Sequence, residues 1–88
     1  MRVVTTRTVA AAMERDPAMR ETVFKSLDRF FAGDWGEVPD EDKAANNRDV
    51  QAQEGRVLAR YGTPSGDIYI ICYPGTDEPA TVLFTSEY

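Results

Sequence analysis

At Gly55 the spacing of apolar residues changes, and the change divides the chain into two kinds of structure. Beyond it, "RVLARY", "DIYIICY" and "ATVLF" alternate at period two. They are separated by "GTPSGD" and "PGTDEP", the proline- and glycine-bearing punctuation of hairpins. The pattern predicts a three-stranded antiparallel meander. Its middle strand is apolar on both faces, with Ile68, Ile70 and Cys72 against Tyr69, Ile71 and Tyr73, which suits a central position with helices over one side. Near the start, "RVVTT" reads as a short first strand added at an edge, since valine and threonine favour extended backbone.

Before Gly55 the period is helical. "TVAAAMERD" predicts a helix with Thr8 as its N-cap. Asp16-Pro17 is an N-cap followed by proline at the first helical position, where the missing N–H is not needed. From Pro17 to about Ala32, residues Met19, Val23, Phe24, Leu27, Phe30 and Phe31 recur at three- and four-residue spacing. Arg20, Glu21, Lys25, Asp28 and Arg29 are left to the other side. Gly33 follows and can take the left-handed conformation that ends a helix. Pro39 opens "PDEDKAANNRDVQAQ", whose early Asp40, Glu41 and Asp42 complement the positive end of a helix dipole. Its apolar face is thin. With no repeat, linker or low-complexity run, the expectation is one α+β domain over residues 1–88, with N-terminal helices packed on a C-terminal three- to four-stranded antiparallel sheet.

In 88 residues burial is modest, and a closed catalytic cavity with several supporting shells is hard to build. A binding surface is the simpler use of such a chain. At 42% apolar and 28% charged it is too hydrophobic for a disordered acidic tail. The net charge of −5 is concentrated: Asp34, Glu37, Asp40, Glu41, Asp42, Asp49 and Glu54 face only Lys43 and Arg48 over 34–54, and elsewhere acids and bases balance. Such a field disfavours direct nucleic-acid binding and steers a basic partner. One cysteine and no histidine remove the common zinc sites, Cys–His pairs and serine–histidine triads. No apolar run approaches the ~20 residues that span a bilayer, and "MRVVTTRTVAAAM" is too short and polar for a secretory core. The expectation is an intracellular protein with no membrane contact.

The only tryptophan sits in the densest run of carboxylates, "GDWGEVPDED". Trp35 either folds back on Phe30 or Phe31 to close a small core, or stands out as an anchor for a partner's pocket. Glu37, Asp40, Glu41 and Asp42 read as a solvated helix start, compatible with an acidic docking surface; the alternating ligands and central glycine of a calcium loop are missing. Carboxylate acid–base chemistry needs desolvated, unequal environments, which a polar helix start does not offer. Asn46 and Asn47 are either polar contacts or the wet face. Cys72 reads as a buried hydrophobe, and "TSEY" as a frayed end or a tail pinned by Tyr88.

Taken together, "FFAGDWGEVPDEDKAANN", "RVLARY" and "DIYIICYPGTDEPATVLFTSEY" resemble a family of small, largely uncharacterised proteins of bacterial plasmids, conjugative elements and phages. The shared pattern is a helix ending in "GDWG", an "EDxxxN" segment (Glu41, Asp42, Asn46), "AxY" (Ala59, Tyr61), "IxII" (Ile68, Ile70, Ile71) and "TxLFxxEY" (Thr81, Leu83, Phe84, Glu87, Tyr88). The mobile-element setting that the resemblance implies points to counter-defence in a bacterial cytoplasm. The expected protein is a non-enzymatic, anti-CRISPR-like inhibitor. It would dock Asp34, Trp35, Glu37, Asp40, Glu41, Asp42, Asn46 and Asp49 on the basic nucleic-acid-binding surface of a type I CRISPR effector subunit, as a monomer or weak dimer without cofactor or metal. The alternative is an antitoxin or accessory module of a mobile element, using the sheet edge or Trp35.

Overall fold

Three helices lie on a four-stranded sheet in the computed structural model, which describes residues 1–88. In chain order the elements are β1 (Val3–Thr5), α1 (Arg7–Arg15), α2 (Pro17–Phe31), α3 (Asp40–Ala52), β2 (Val57–Tyr61), β3 (Ile68–Cys72) and β4 (Ala80–Phe84), followed by a 3-10 turn at Thr85–Glu87. The architecture is α+β, as the change of period at Gly55 predicts. Asp16 caps α2 by accepting from the Ala18 N–H at 3.0 Å, and Gly33 follows the helix at φ 83°. The cap of α1 is Thr6 rather than Thr8. Thr6 still has the extended backbone of β1, and its hydroxyl accepts from Val9 N–H at 3.3 Å. Thr8 instead donates to Glu87 at 2.5 Å, tying α1 to the final turn.

The sheet order is β1-β4-β3-β2. Both hairpins are antiparallel, with Ala59 opposite Ile70 and Ile70 opposite Val82. β1 occupies the edge but runs parallel to β4, Val3 beside Ala80 and Thr5 beside Val82, so the sheet is mixed and not antiparallel throughout. The correction has a simple cause. Alternation identifies a strand but not its direction, and the tight turns orient only β2, β3 and β4; β1 is oriented by the helical crossover that follows it.

The core lies between one face of the sheet and the helices. Val57, Ala59, Tyr61, Ile68, Ile70, Cys72, Ala80 and Val82 meet Val9, Ala12, Met19, Val23 and Phe30. Each fully buried aliphatic side chain stabilises by about 1.5–3 kcal/mol. The apolar arc of α2 is wider than the surface it covers: Phe30 is buried, but Phe24 and Phe31 are 56% and 55% exposed. Ser26 takes a place in the buried arc, its hydroxyl donating to the Thr22 carbonyl at 2.8 Å. On the other face of the sheet, Tyr69 meets the ring of Tyr88 edge-on at 5.5 Å, so the C-terminal tyrosine lies on the strands.

Two phenylalanines of one helix therefore differ in their energetic role. Phe30→Ala should lower the unfolding free energy by about 3–5 kcal/mol, while Phe24→Ala should stay within about 0.5 kcal/mol of the parent, both read from urea denaturation.

Candidate functional site

The segment after α2 is held by a chain of polar contacts that begins at Arg29. Its guanidinium grips Asp34 with two bonds, Nε to Oδ2 at 2.8 Å and Nη2 to Oδ1 at 3.3 Å. The same Oδ1 accepts from Gly36 N–H at 3.0 Å. Hydrogen bonding to Arg29, then to Gly36, holds the Asp34 carboxyl below the usual aspartate range. Below this knot, the Tyr61 hydroxyl donates to the Asp34 carbonyl at 2.7 Å, and the Arg29 guanidinium lies 5.0 Å from the Tyr61 ring centroid. Burial pushes the Tyr61 phenol well above its ordinary value, so it remains a donor.

Residues 35–37 then run beside β2. The Arg60 N–H donates to the Trp35 carbonyl at 3.1 Å and Glu37 N–H donates to the Arg60 carbonyl at 2.8 Å, with Gly36 bridged in parallel to Arg60. Gly36 sits at φ 75°, and a Cβ there would overlap the Arg60 carbonyl oxygen. Only glycine meets both conditions. Two residues along, Asn46 reaches from α3 to the same edge: its Nδ2 donates to the Leu58 carbonyl at 2.9 Å, and Leu58 N–H donates to its Oδ1 at 3.4 Å. The outward-facing backbone of β2 is thus occupied at Leu58 by a side-chain amide and at Arg60 by a strand-like loop.

Of the two readings of Trp35, the structure adopts the core. The indole is 6% exposed and meets Phe30 edge-on at 5.5 Å. Its Nε1–H donates to Asn47 Oδ1 at 2.9 Å, so Asn46 and Asn47 are both contacts, one to the strand and one to the ring. The eight residues expected to meet a partner divide accordingly. Asp34 is engaged by Arg29, while Trp35 and Asn46 are buried. Glu37, Asp40, Glu41 and Asp42 are exposed, and Asp49 is half-buried. Of these last five, only Asp40 has an ion-pair partner, Lys43 at 4.0 Å. Three of the exposed carboxylates, Asp40, Glu41 and Asp42, therefore cluster at the N-terminal turn of α3, where no side chain caps the helix and the dipole favours negative charge, and Glu37 lies just before it.

Sequence reasoning missed Tyr61 and Arg60, which fix the position of this segment. Arg29 was legible only as a charge on the polar side of α2. Gly36 was visible as a flexible neighbour of Trp35, but its strand partner was not. No three histidine, cysteine, aspartate or glutamate residues converge as a metal-binding group. Burial raises the Cys72 thiol, the opposite of an activated nucleophile. No protein-family model matches the chain, and neither does any curated protein or solved structure.

Two measurements probe this construction. Gly36→Ala should destabilise by about 2–4 kcal/mol, combining positive-φ strain with displacement of β2. Gly33→Ala, at φ 83° with open space around it, should cost only about 1 kcal/mol. Asp34 has a depressed pKa in the fold, so its contribution is present above the unfolded value of about 3.9 and is lost as pH falls through the folded value. Asp34→Asn should flatten the decline of stability below about pH 4, as followed by thermal melts across pH.

Proposed function

We propose that the protein is a non-enzymatic, anti-CRISPR-like inhibitor, presenting the first turn of α3 to the basic nucleic-acid-binding surface of a type I CRISPR effector in a bacterial cytoplasm. The observation that carries this reading is the set of exposed carboxylates Asp40, Glu41 and Asp42 in the first turn of α3, a helix anchored at Trp35 and Leu58, with the exposed Glu37 on the segment that leads into it. Fixed acids lose little conformational freedom on docking, and their field accelerates encounter with a positive surface. Carboxylates on a rigid helix imitate phosphates by charge. Of the other residues expected at the contact, Asp34, Trp35 and Asn46 are engaged within the fold, and Asp49 lies further along α3, half-buried.

An antitoxin or accessory module remains the second reading, and it rests on the other edge of the sheet. β1 has three residues, all exposed, and pairs with β4 on one side only. Such an edge accepts an added strand. The route through Trp35 loses its basis because the ring is buried.

The deciding variant replaces Glu37, Asp40, Glu41 and Asp42 together by their amides. The melt should show a loss of only about 1 kcal/mol or a few, because exposed first-turn acids contribute about 0.3–1 kcal/mol each. Inhibition of target-DNA binding by a purified type I effector should fall strongly, and the parent's inhibition should weaken with added salt as exposed charges are screened. A folded quadruple variant that inhibits at parental concentration would remove the acidic-surface mechanism.

A further inference from the structure

The helical layer over the sheet is not continuous. Between α2 and α3 lies a groove of about 320 Å³. Phe30, Trp35 and Cys72, all buried, line it from the core, and the exposed side chains of Phe31 and Val50 line it from the two helices. Met1 lines the groove as well, yet is 75% exposed. The register of the sheet brings it there. Cys72 ends β3 at the same end of the sheet where Val3 and Ala80 stand side by side. Val3 shares the face of Ala80, which is the face beneath the helices, and Met1, two residues earlier, shares it by strand alternation.

The residue between is held in place. The Arg2 carbonyl accepts from the Ala80 N–H at 2.9 Å, and the Arg2 guanidinium donates to the Asp77 carbonyl at 3.3 Å. Met1 therefore swings about a fixed neighbour. It also lines a second hollow with Asp77 and Glu78, so it lies between an apolar groove, which suits its side chain, and an acidic hollow, which suits its amino group. An unbranched thioether fills irregular apolar gaps and packs well on aromatic rings, here those of Phe31 and Trp35. Oxidation by hydrogen peroxide reverses this preference. The sulfur takes up one oxygen as the peroxide O–O bond breaks, the peroxide is reduced to water, and the polar sulfoxide is disfavoured between apolar walls. Exposure makes the reaction selective, because Met19 is fully buried and Met13 half-buried.

We infer that the Met1 side chain closes the α2–α3 groove as a lid seated on Phe31, Trp35 and Val50, and that oxidation of its sulfur to the sulfoxide opens the groove. The device is separate from the first turn of α3. Its failure leaves the acidic-surface reading standing, and the quadruple amide variant leaves the lid intact.

The test uses the full chain labelled with ¹³C in its methionine methyls and with ¹⁵N throughout. In the reduced protein the Met1 methyl should show nuclear Overhauser contacts to the Trp35 indole and an upfield ring-current shift. Both should be lost in Val50→Ser, with Phe31→Ser as a second variant on the opposite wall in case the first disturbs α3. Limiting hydrogen peroxide should convert Met1 first, as located by tandem mass spectrometry. The Trp35 indole N–H and the Val50 amide should then move while the rest of the amide spectrum stays in place, and a neutral maleimide should label Cys72 several-fold faster. Methionine sulfoxide reductases acting on both epimers should restore the reduced spectrum. A Met1 methyl at its disordered-chain position, without contact to the groove, would overturn the inference, as would oxidation at Met1 that leaves the Trp35 signal and the Cys72 rate unchanged. Changes spread over the whole sheet would overturn it too, because they report general loosening and not an opened lid.

Discussion

The bidentate grip of Arg29 on Asp34 is the contact from which the rest of the functional face is positioned. It sets the direction in which the chain leaves α2. That direction lays residues 35–37 along β2, sends the indole of Trp35 inward and starts α3 above the strand edge. The pair is exposed, so its direct electrostatic contribution is small. Its weight comes from geometry: the same carboxylate also receives the Gly36 N–H, and the same residue's carbonyl receives the Tyr61 hydroxyl. Three elements converge on one aspartate.

This arrangement reconciles a poor helix with a fixed location. α3 has little apolar surface of its own, and an isolated helix of its length is marginal in water. Two adjacent asparagines hold it instead, Asn46 on the Leu58 backbone and Asn47 on the indole. Because polar bonds perform the anchoring, the outer surface of the helix is free to carry carboxylates that an apolar seam would have excluded. A helix held at the strand edge also leaves a groove beside α2 that reaches Cys72 at the end of β3.

The elements were legible in the sequence where a periodic pattern and a chain-local signal agreed. Asp16-Pro17 and Gly33 bracket α2 as its residues predict, and the three later strands fall where alternation and turn residues place them. What could not be read depends on neighbours distant in sequence. The direction of β1 is decided by a strand some eighty residues along. The inward turn of Trp35 is decided by Phe30 and Asn47 together. Phe24 and Phe31 belong to the apolar period of α2 yet remain outside the core, because periodicity reports which face is apolar and not how much of it the sheet can cover. Asn46 reads in the sequence as either a polar contact or part of the wet face; only the presence of an unpaired strand edge beneath it makes burial favourable.

The parallel pairing of β1 with β4 bears on how the chain is made. The ribosome delivers β1 first and its partner almost eighty residues later, so Val3–Thr5 must wait as an unpaired strand while α1, α2 and α3 emerge with no sheet to receive them. At the usual elongation speed of about 5–20 residues per second, that interval lasts seconds, long compared with the formation of a helix in about a microsecond. Amphipathic helices with exposed phenylalanines are during that time a surface for chaperones or for premature association. The last strand thus acts as a completion signal, joining both ends of the described chain in one step and converting a nascent array of helices into a folded protein.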